Sequence, residues 1–174
     1  MSALRLINET EITSSVSSVD ITDVFSADFD IYKIVTNGIE DTTNTPSLHI
    51  RFINSSGSVI SASNYDYAYL NMRSEAGFAE NRGTNQSYIR GVFSFSNATH
   101  SQGSVTYIFN PYSSSSYTFC LSQFSSYTTA VRSIKNIGVL KQTASMTGFQ
   151  LFDVDSTDFS EGVIRTYGLR VDNG

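Results

Sequence analysis

The chain has 174 residues, of which 40% are hydrophobic, 13% aromatic and only 16% charged. This length and apolar content exclude a disordered chain and suit one domain with its own core. The formal charge of −5 at pH 7 argues against a generic nucleic-acid binder, which needs a basic face. Many Thr, Tyr and Phe with few Lys, Glu and Ala predict an all-β fold.

The N-terminal part is predicted to contain an arm and a central strand. One short apolar run, residues 4–7, is followed by mostly polar sequence up to residue 20. We therefore expect residues 1–20 to form a short strand and a semi-extended N-terminal arm, which can lie along a partner. Residues 21–174 are expected to form a single β-sandwich domain. Within that domain, residues 28–35 are apolar on both faces, which predicts a fully covered central strand.

The next segments predict a hairpin and a long loop. In residues 47–62 an alternating strand precedes the turn signal Asn-Ser-Ser-Gly at 54–57, which indicates a hairpin. On its first strand, His49 alternates with apolar residues and is expected to face solvent. Residues 74–87 are polar and contain two glycines, so they predict a loop.

The C-terminal half adds further strands. Residues 89–121 contain three alternating segments, and residues 127–141 predict two short strands, with one helical turn as the alternative. Residues 146–152 and 162–169 are bounded by Gly, Asp or Ser and predict a closing hairpin. About nine or ten strands with no helix indicate a two-sheet antiparallel β-sandwich of jelly-roll type.

The sequence predicts no catalytic residues and no metal site. The histidines, His49 and His100, are distant in sequence, and Cys120 is the single cysteine. These residues do not by themselves complete a zinc site or the Ser-His-acid set of a hydrolase. Cys120 lies in an alternating strand, which predicts a buried, unreactive thiol.

The carboxylates give two weaker alternatives. Asp153, Asp155 and Asp158 lie in a polar link that lacks the central Gly and closing Glu of a calcium-binding EF-hand. We expect a solvated link, with weak calcium binding as the alternative. Asp28 and Asp30 flank strand residues and do not indicate an acid/base pair, although two carboxylates suffice for a glycosidase.

Three tyrosines at every second position form the clearest candidate contact surface. Tyr65, Tyr67 and Tyr69 share one face of a predicted strand. A stripe of this kind is suited to a core face, to a subunit interface or to stacking against sugars. All three interpretations stay open at this stage.

Several strand and turn motifs resemble those of a known group of proteins. They are Thr-Gly-Phe-Gln-Leu-Phe at 147–152, the Tyr-Gly-Leu that ends 162–169, and the segments 26–34, 48–52 and 108–111. Together they resemble the small β-sandwich virion proteins of tailed bacteriophages, especially marine ones, which are usually labelled structural proteins or tail fibres. The likeness runs loosely from about residue 4 to about residue 170.

The resemblance implies a non-enzymatic virion structural protein, and the short chain without an elongated stem favours one that decorates or cements the capsid over a fibre. Its expected partners are itself, as a homotrimer, and other virion proteins such as the major capsid protein, with residues 2–20 helping to anchor it. The alternative is a tail-fibre or receptor-binding domain that recognises host surface glycans through the tyrosine stripe or residues 74–87. A glycan-cleaving enzyme is the third hypothesis.

No cofactor, metal, nucleic acid or membrane partner is expected. The N-terminal residues lack a basic segment followed by a long apolar run, so no secretory signal is expected. No apolar stretch approaches the length of a membrane span. We therefore expect synthesis in the host cytoplasm and a final location in the virion.

Overall fold

The structure is a computed structural model that describes residues 3–41, 48–93, 102–127, 130–154 and 158–170. Across these ranges the chain forms twelve strands and no helix, so the all-β prediction is confirmed. The strands are β1 (Ala3–Ile12), β2 (Ser18–Ile21), β3 (Ile31–Asp41), β4 (Leu48–Asn54), β5 (Tyr65–Arg73), β6 (Gly77–Gln86), β7 (Ile89–Phe93), β8 (Gly103–Phe109), β9 (Thr118–Tyr127), β10 (Val131–Leu140), β11 (Met146–Phe152) and β12 (Phe159–Arg170).

The strands form two antiparallel sheets, which confirms the two-sheet β-sandwich. The larger sheet has eight strands in the order β1-β12-β3-β8-β9-β10-β5-β6, and the smaller has four in the order β2-β11-β4-β7. Without the hairpins β5–β6 and β9–β10, the larger sheet would read β1-β12-β3-β8. We interpret these orders as a jelly roll whose larger sheet is widened by two hairpins. That more specific assignment stays an interpretation of strand order.

The core lies between the sheets and is rich in aromatic side chains. The ring of Phe25 packs edge-on against Tyr32 at 4.7 Å between centroids and stacks on Phe149 at 5.9 Å. Tyr32 is fully buried, and its hydroxyl donates to the carbonyl of Ser26 and accepts from the Ser26 N–H. Because a buried hydroxyl without partners costs free energy, these local bonds are what allow tyrosine to fill the core.

The predicted closing hairpin does not form. The chain leaves β11 in the smaller sheet and enters β12 in the larger sheet. β11 pairs with β2 and β4, whereas β12 pairs with β1 and β3. The two strands therefore lie in different sheets of the sandwich. The sequence signals of a strand pair are the same whether the link turns within one sheet or crosses between two.

The predicted N-terminal arm is largely part of the sandwich. β1 pairs with β12 from Ala3 to Ile12, and β2 pairs with β11, so residues 3–12 and 18–21 belong to the two sheets. β1 is an edge strand with a register shift between Leu6 and Asn8. Edge strands bury fewer side chains, which explains why their sequence is polar enough to predict an arm.

Three other local predictions are wrong in detail. Residues 77–86, expected in a loop, form β6, whose side chains are mostly exposed because nothing covers either face. Residues 131–140 form one strand instead of two, since they alternate between a buried and an exposed face. The second strand of the 47–62 hairpin is reduced to one bridge, between Ile53 and Val59.

Gly148 provides a test of the packing between β11 and the end of β2. A Cβ atom at this position would lie 2.2 Å from the carbonyl oxygen of Ile21, which is backbone and cannot rotate away. We expect Gly148→Ala to lower the free energy of unfolding by about 1–3 kcal/mol or more, as overpacking does. Urea unfolding followed by circular dichroism measures the change.

Gly103→Ala is the matched control. A Cβ atom at Gly103 would lie 3.4 Å from the carbonyl oxygen of Thr36, an ordinary contact. This variant should stay within about 0.5 kcal/mol of the original chain. Equal destabilisation by the two substitutions would contradict the packing described for Gly148.

Candidate functional site

The outer face of the larger sheet carries an apolar surface that no part of the described chain covers. In β8 and β9 most of the Ser and Thr side chains are buried on the inner face beside Ile108, Cys120 and Phe124, while several aromatic and aliphatic side chains point outward. Cross-strand pairing joins these outward residues to those of β10 and β5. We call this surface the outer patch: Ala68, Leu70, Tyr107, Phe109, Phe119, Leu121, Ile137 and Val139.

The centre of the outer patch is well exposed for apolar side chains. Ile137 is 58% exposed, Phe119 48% and Leu70 40%. Ile137 lies between its cross-strand partners Leu121 and Ala68. Single exposed apolar residues are normal on a protein surface, whereas a contiguous group on a flat sheet face is typical of an interaction surface.

Polar and charged residues surround the outer patch. Lys141 forms an ion pair with Asp66 at 2.9 Å. The Asp66 carboxylate also accepts a hydrogen bond from the N–H of Asn85 at 2.7 Å. Lys135 of β10 lies opposite Leu70, and Arg82 of β6 lies opposite Ala68. An apolar centre within a polar rim is the arrangement that protein–protein interfaces show.

Two shallow grooves cross the outer patch. One has a volume of about 530 Å³ and the other about 480 Å³, and both are bordered by Ala68, Ile137 and Arg82. Neither contains the histidine or paired carboxylates that a hydrolytic site needs. Their chemistry is suited to receiving side chains of another protein surface.

The tyrosine stripe is divided between the core and the edge of the core. Tyr65 is fully buried and Tyr67 is 8% exposed, whereas Tyr69 is partly exposed. The Tyr65 hydroxyl donates to the carbonyl of Ile60 and accepts from the N–H of Phe52, and burial raises its pKa. In this fold only Tyr69 is placed where a ligand could reach it.

His49 is buried, so the prediction that it faces solvent is wrong. It is 1% exposed because Tyr88 stacks on its ring at 4.8 Å and Phe152 packs edge-on at 5.8 Å. The Gly91 N–H donates to Nδ1 of His49 at 3.1 Å, which requires the neutral ring. Burial, together with the positive charges of Arg90 and Arg51, lowers the pKa of His49 to about 3.

Cys120 lies inside the sandwich, as predicted. It is buried on β9, and burial raises the pKa of its thiol to about 12. At neutral pH the side chain is therefore the protonated thiol, which is neither a nucleophile nor a metal ligand. His100, the other residue considered for chemistry with it, lies outside the described residues.

The carboxylates do not come together. Asp153 is buried, Asp155 lies outside the described residues, and Asp158 accepts a hydrogen bond from the hydroxyl of Ser15 at 2.9 Å. Asp28 and Asp30 are exposed. In the described part of the chain, no three His, Cys, Asp or Glu side chains are placed to hold a metal ion.

Sequence reasoning missed the outer patch because alternation does not say which face is inner. Tyr117, Phe119 and Leu121 alternate with Thr118 and Cys120, and the apolar set is the natural candidate for the core. The structure places that set outside. The signal available in the sequence was that β8 and β9 have no charged residue on either face.

Comparing the chain with family models, curated proteins and solved structures gave no match. Within the described ranges, the structure contains no helix of the length and hydrophobicity that a membrane crossing requires.

The buried His49 predicts a pH-dependent stability. The unfolded chain binds a proton on this residue below about pH 6.5, whereas the folded chain does so only near pH 3. Stability should therefore be complete above pH 6.5 and be lost as the pH falls towards 3. Between pH 7.5 and pH 5 we expect His49 to account for about 2 kcal/mol of lost unfolding free energy.

Urea unfolding at the two pH values measures this loss, with His49→Asn as the test variant. Asn offers an oxygen acceptor near the position of Nδ1 but does not titrate. The pH dependence should flatten in His49→Asn and persist in His100→Asn, which removes the second histidine. An unchanged slope in His49→Asn would show that other groups cause the loss.

Proposed function

We propose that this chain is a non-enzymatic structural protein of a tailed-phage virion that acts through protein–protein contacts, most simply as a capsid decoration or cement protein. The observation that carries the proposal is the outward placement of aromatic and aliphatic side chains on β8 and β9, which puts the outer patch on the surface. A surface of this kind gains free energy when another protein covers it. The sequence resemblance to small β-sandwich virion proteins supplies the virion context.

The occupant that we propose for the outer patch is a second copy of the chain, within a homotrimer. Most oligomers of soluble proteins contain identical subunits related by closed symmetry. Ile137 and Phe119 are exposed at the patch on two neighbouring strands of the larger sheet. Three copies of such a face can meet around a threefold axis with little loss of side-chain entropy, because β-branched and aromatic side chains have few rotamers.

The paired β1 limits what the N-terminal residues can do as an anchor. Since β1 completes one edge of the larger sheet, only its outward side chains and its free edge are available to a capsid. Leu4 and Leu6 are both exposed there. In this proposal they contribute a second, smaller contact, to other virion proteins such as the major capsid protein.

A second candidate is a receptor-binding domain that recognises host surface glycans. With Tyr65 and Tyr67 buried, this candidate depends on Tyr69, whose partly exposed ring borders a polar pocket. The loop expected at 74–87 is mostly strand β6 and lies at the exposed edge of the larger sheet.

Oligomeric state tests the role of the outer patch. The chain has a mass of 19.1 kDa, so light scattering should give three times 19.1 kDa for the trimer. Ile137→Lys places a charge at the centre of the patch and should shift the mass to that of the monomer without loss of the circular dichroism spectrum. Ser125→Lys, which is exposed on the same face of β9 but outside the patch, should stay trimeric.

Electron cryomicroscopy of the virion tests the location. A decoration protein should be found on the capsid surface in hundreds of copies, arranged as trimers. Density at the tail tip in a few copies would support the receptor-binding candidate instead. Absence of the chain from purified particles, checked by mass spectrometry, would contradict both.

A further inference from the structure

A pocket that contains three arginines lies between the sheets, away from the outer patch. Its volume is about 210 Å³. The inner faces of β5, β9 and β10 form one side, and β7 contributes the other side through Arg90. The lining residues are Tyr69, Asn71, Arg73, Arg90, Phe124, Ser126, Arg132 and Ile134.

The charge of this pocket is unusual for this chain. Arg73 and Arg132 lie directly opposite each other on paired strands, a like-charge pairing that destabilises a sheet. Arg90 adds a third positive charge, and no Asp or Glu is among the described residues that line the pocket. An acidic chain with a net charge of −5 thus concentrates three of its eleven Lys and Arg residues around one small space.

The arginines also have unused hydrogen-bonding capacity. The Nε atoms of Arg73 and Arg132 are buried and have no hydrogen-bond partner. A guanidinium presents its donors in a planar fork, which fits the oxygens of a carboxylate, sulfate or phosphate group. Buried donors without partners cost free energy, and an oxyanion between these arginines would remove that cost.

Contacts with the larger sheet hold Arg90 in place beside the pocket. The Asn136 side-chain amide, which is fully buried, donates to the carbonyl of Arg90 and also lies 3.4 Å from that of Gly91. The side chain of Arg90 interacts with the Tyr67 hydroxyl. Because these contacts come from two strands of the larger sheet, the third arginine is fixed relative to the other two.

The remaining lining residues suit a sugar better than a bare ion. The partly exposed ring of Tyr69 offers a flat apolar surface of the kind that packs against sugar C–H groups. The Oδ1 atom of Asn71 is a buried acceptor without a partner, so it calls for a hydroxyl donor, which sulfate lacks. The hydroxyl of Ser126 lies at the same end of the sheet as Arg132, its cross-strand neighbour.

We propose that this pocket binds an acidic sugar unit, with the carboxylate or sulfate group between the arginines and the ring against Tyr69. The volume is below the roughly 300–1,000 Å³ of sites for drug-sized ligands, so the pocket holds one sugar unit. The inference rests on the glycan-recognition candidate above for its choice of a sugar. It does not rest on the proposed assembly role.

Isothermal titration calorimetry of the full chain with glucuronate, glucose and inorganic sulfate tests the proposal. Glucuronate should bind, glucose should give no measurable heat, and sulfate should bind at least about tenfold more weakly because it lacks the ring and the hydroxyl donors. Arg132→Gln should weaken glucuronate binding by about tenfold or more, since it removes charge-assisted hydrogen bonds.

The matched control is Arg5→Gln, an exposed arginine on β1 at the opposite edge of the larger sheet. It has the same change of charge and should leave binding unchanged. Circular dichroism checks that each variant is folded, and Arg90→Gln replaces Arg132→Gln if the latter is not.

The outcomes separate the inference from the function on which it rests. Glucuronate binding that survives the arginine substitutions, or sulfate binding as strong as that of glucuronate, would overturn the acidic-sugar site. Neutral glycans that bind a folded chain in place of acidic ones would overturn it while leaving glycan recognition standing. A folded chain that binds no sugar and no sulfate would remove both.

Discussion

The mismatch in width between the two sheets determines the rest of the structure. Eight antiparallel strands face a sheet of only four, so the smaller sheet cannot bury the whole inner face of the larger one. β7, at the edge of the smaller sheet, contacts β8, β9, β10 and β5, and β6 is exposed along its length. The core therefore ends near β7. Beyond that edge the inner face carries the polar and charged residues of the arginine pocket.

In a separate monomer, both faces of β8 and β9 are energetically unfavourable. Thr106, Thr118 and Ser122 are buried on the inner face, and their hydroxyl oxygens have no hydrogen-bond partner in the described structure. Such groups cost free energy on burial. On the opposite face of the same strands, Phe119 and its neighbours gain little because they stay in contact with water. A partner that covers the outer patch would remove these apolar side chains from water. The free energy gained in this way is the physical reason to expect a partner there.

The sequence predicted the fold class and most strands, because Tyr65 to Tyr69 and residues 89–121 alternate clearly enough to identify strands without contacts. The prediction failed for β6, which has no buried face. It also failed for the link between β11 and β12, because the sequence does not show whether the chain turns within one sheet or crosses to the other. It also placed His49 in solvent, because stacking by Tyr88 and Phe152 comes from distant segments. The arginine pocket could not be predicted, since Arg73, Arg90 and Arg132 belong to three different strands.

The outer patch and the arginine pocket lie on opposite faces of the same strands. On β5, Ala68 and Leu70 point outward while Tyr69 and Arg73 point inward, and on β10 Ile137 points outward while Arg132 points inward. A partner on the outer face would therefore hold in place the two strands that carry two of the three arginines. Because ordering a site in advance lowers the entropy cost of binding, assembly and ligand binding would favour each other by the same free energy. The hairpins that widen the larger sheet thus contribute residues both to the outer patch and to the arginine pocket.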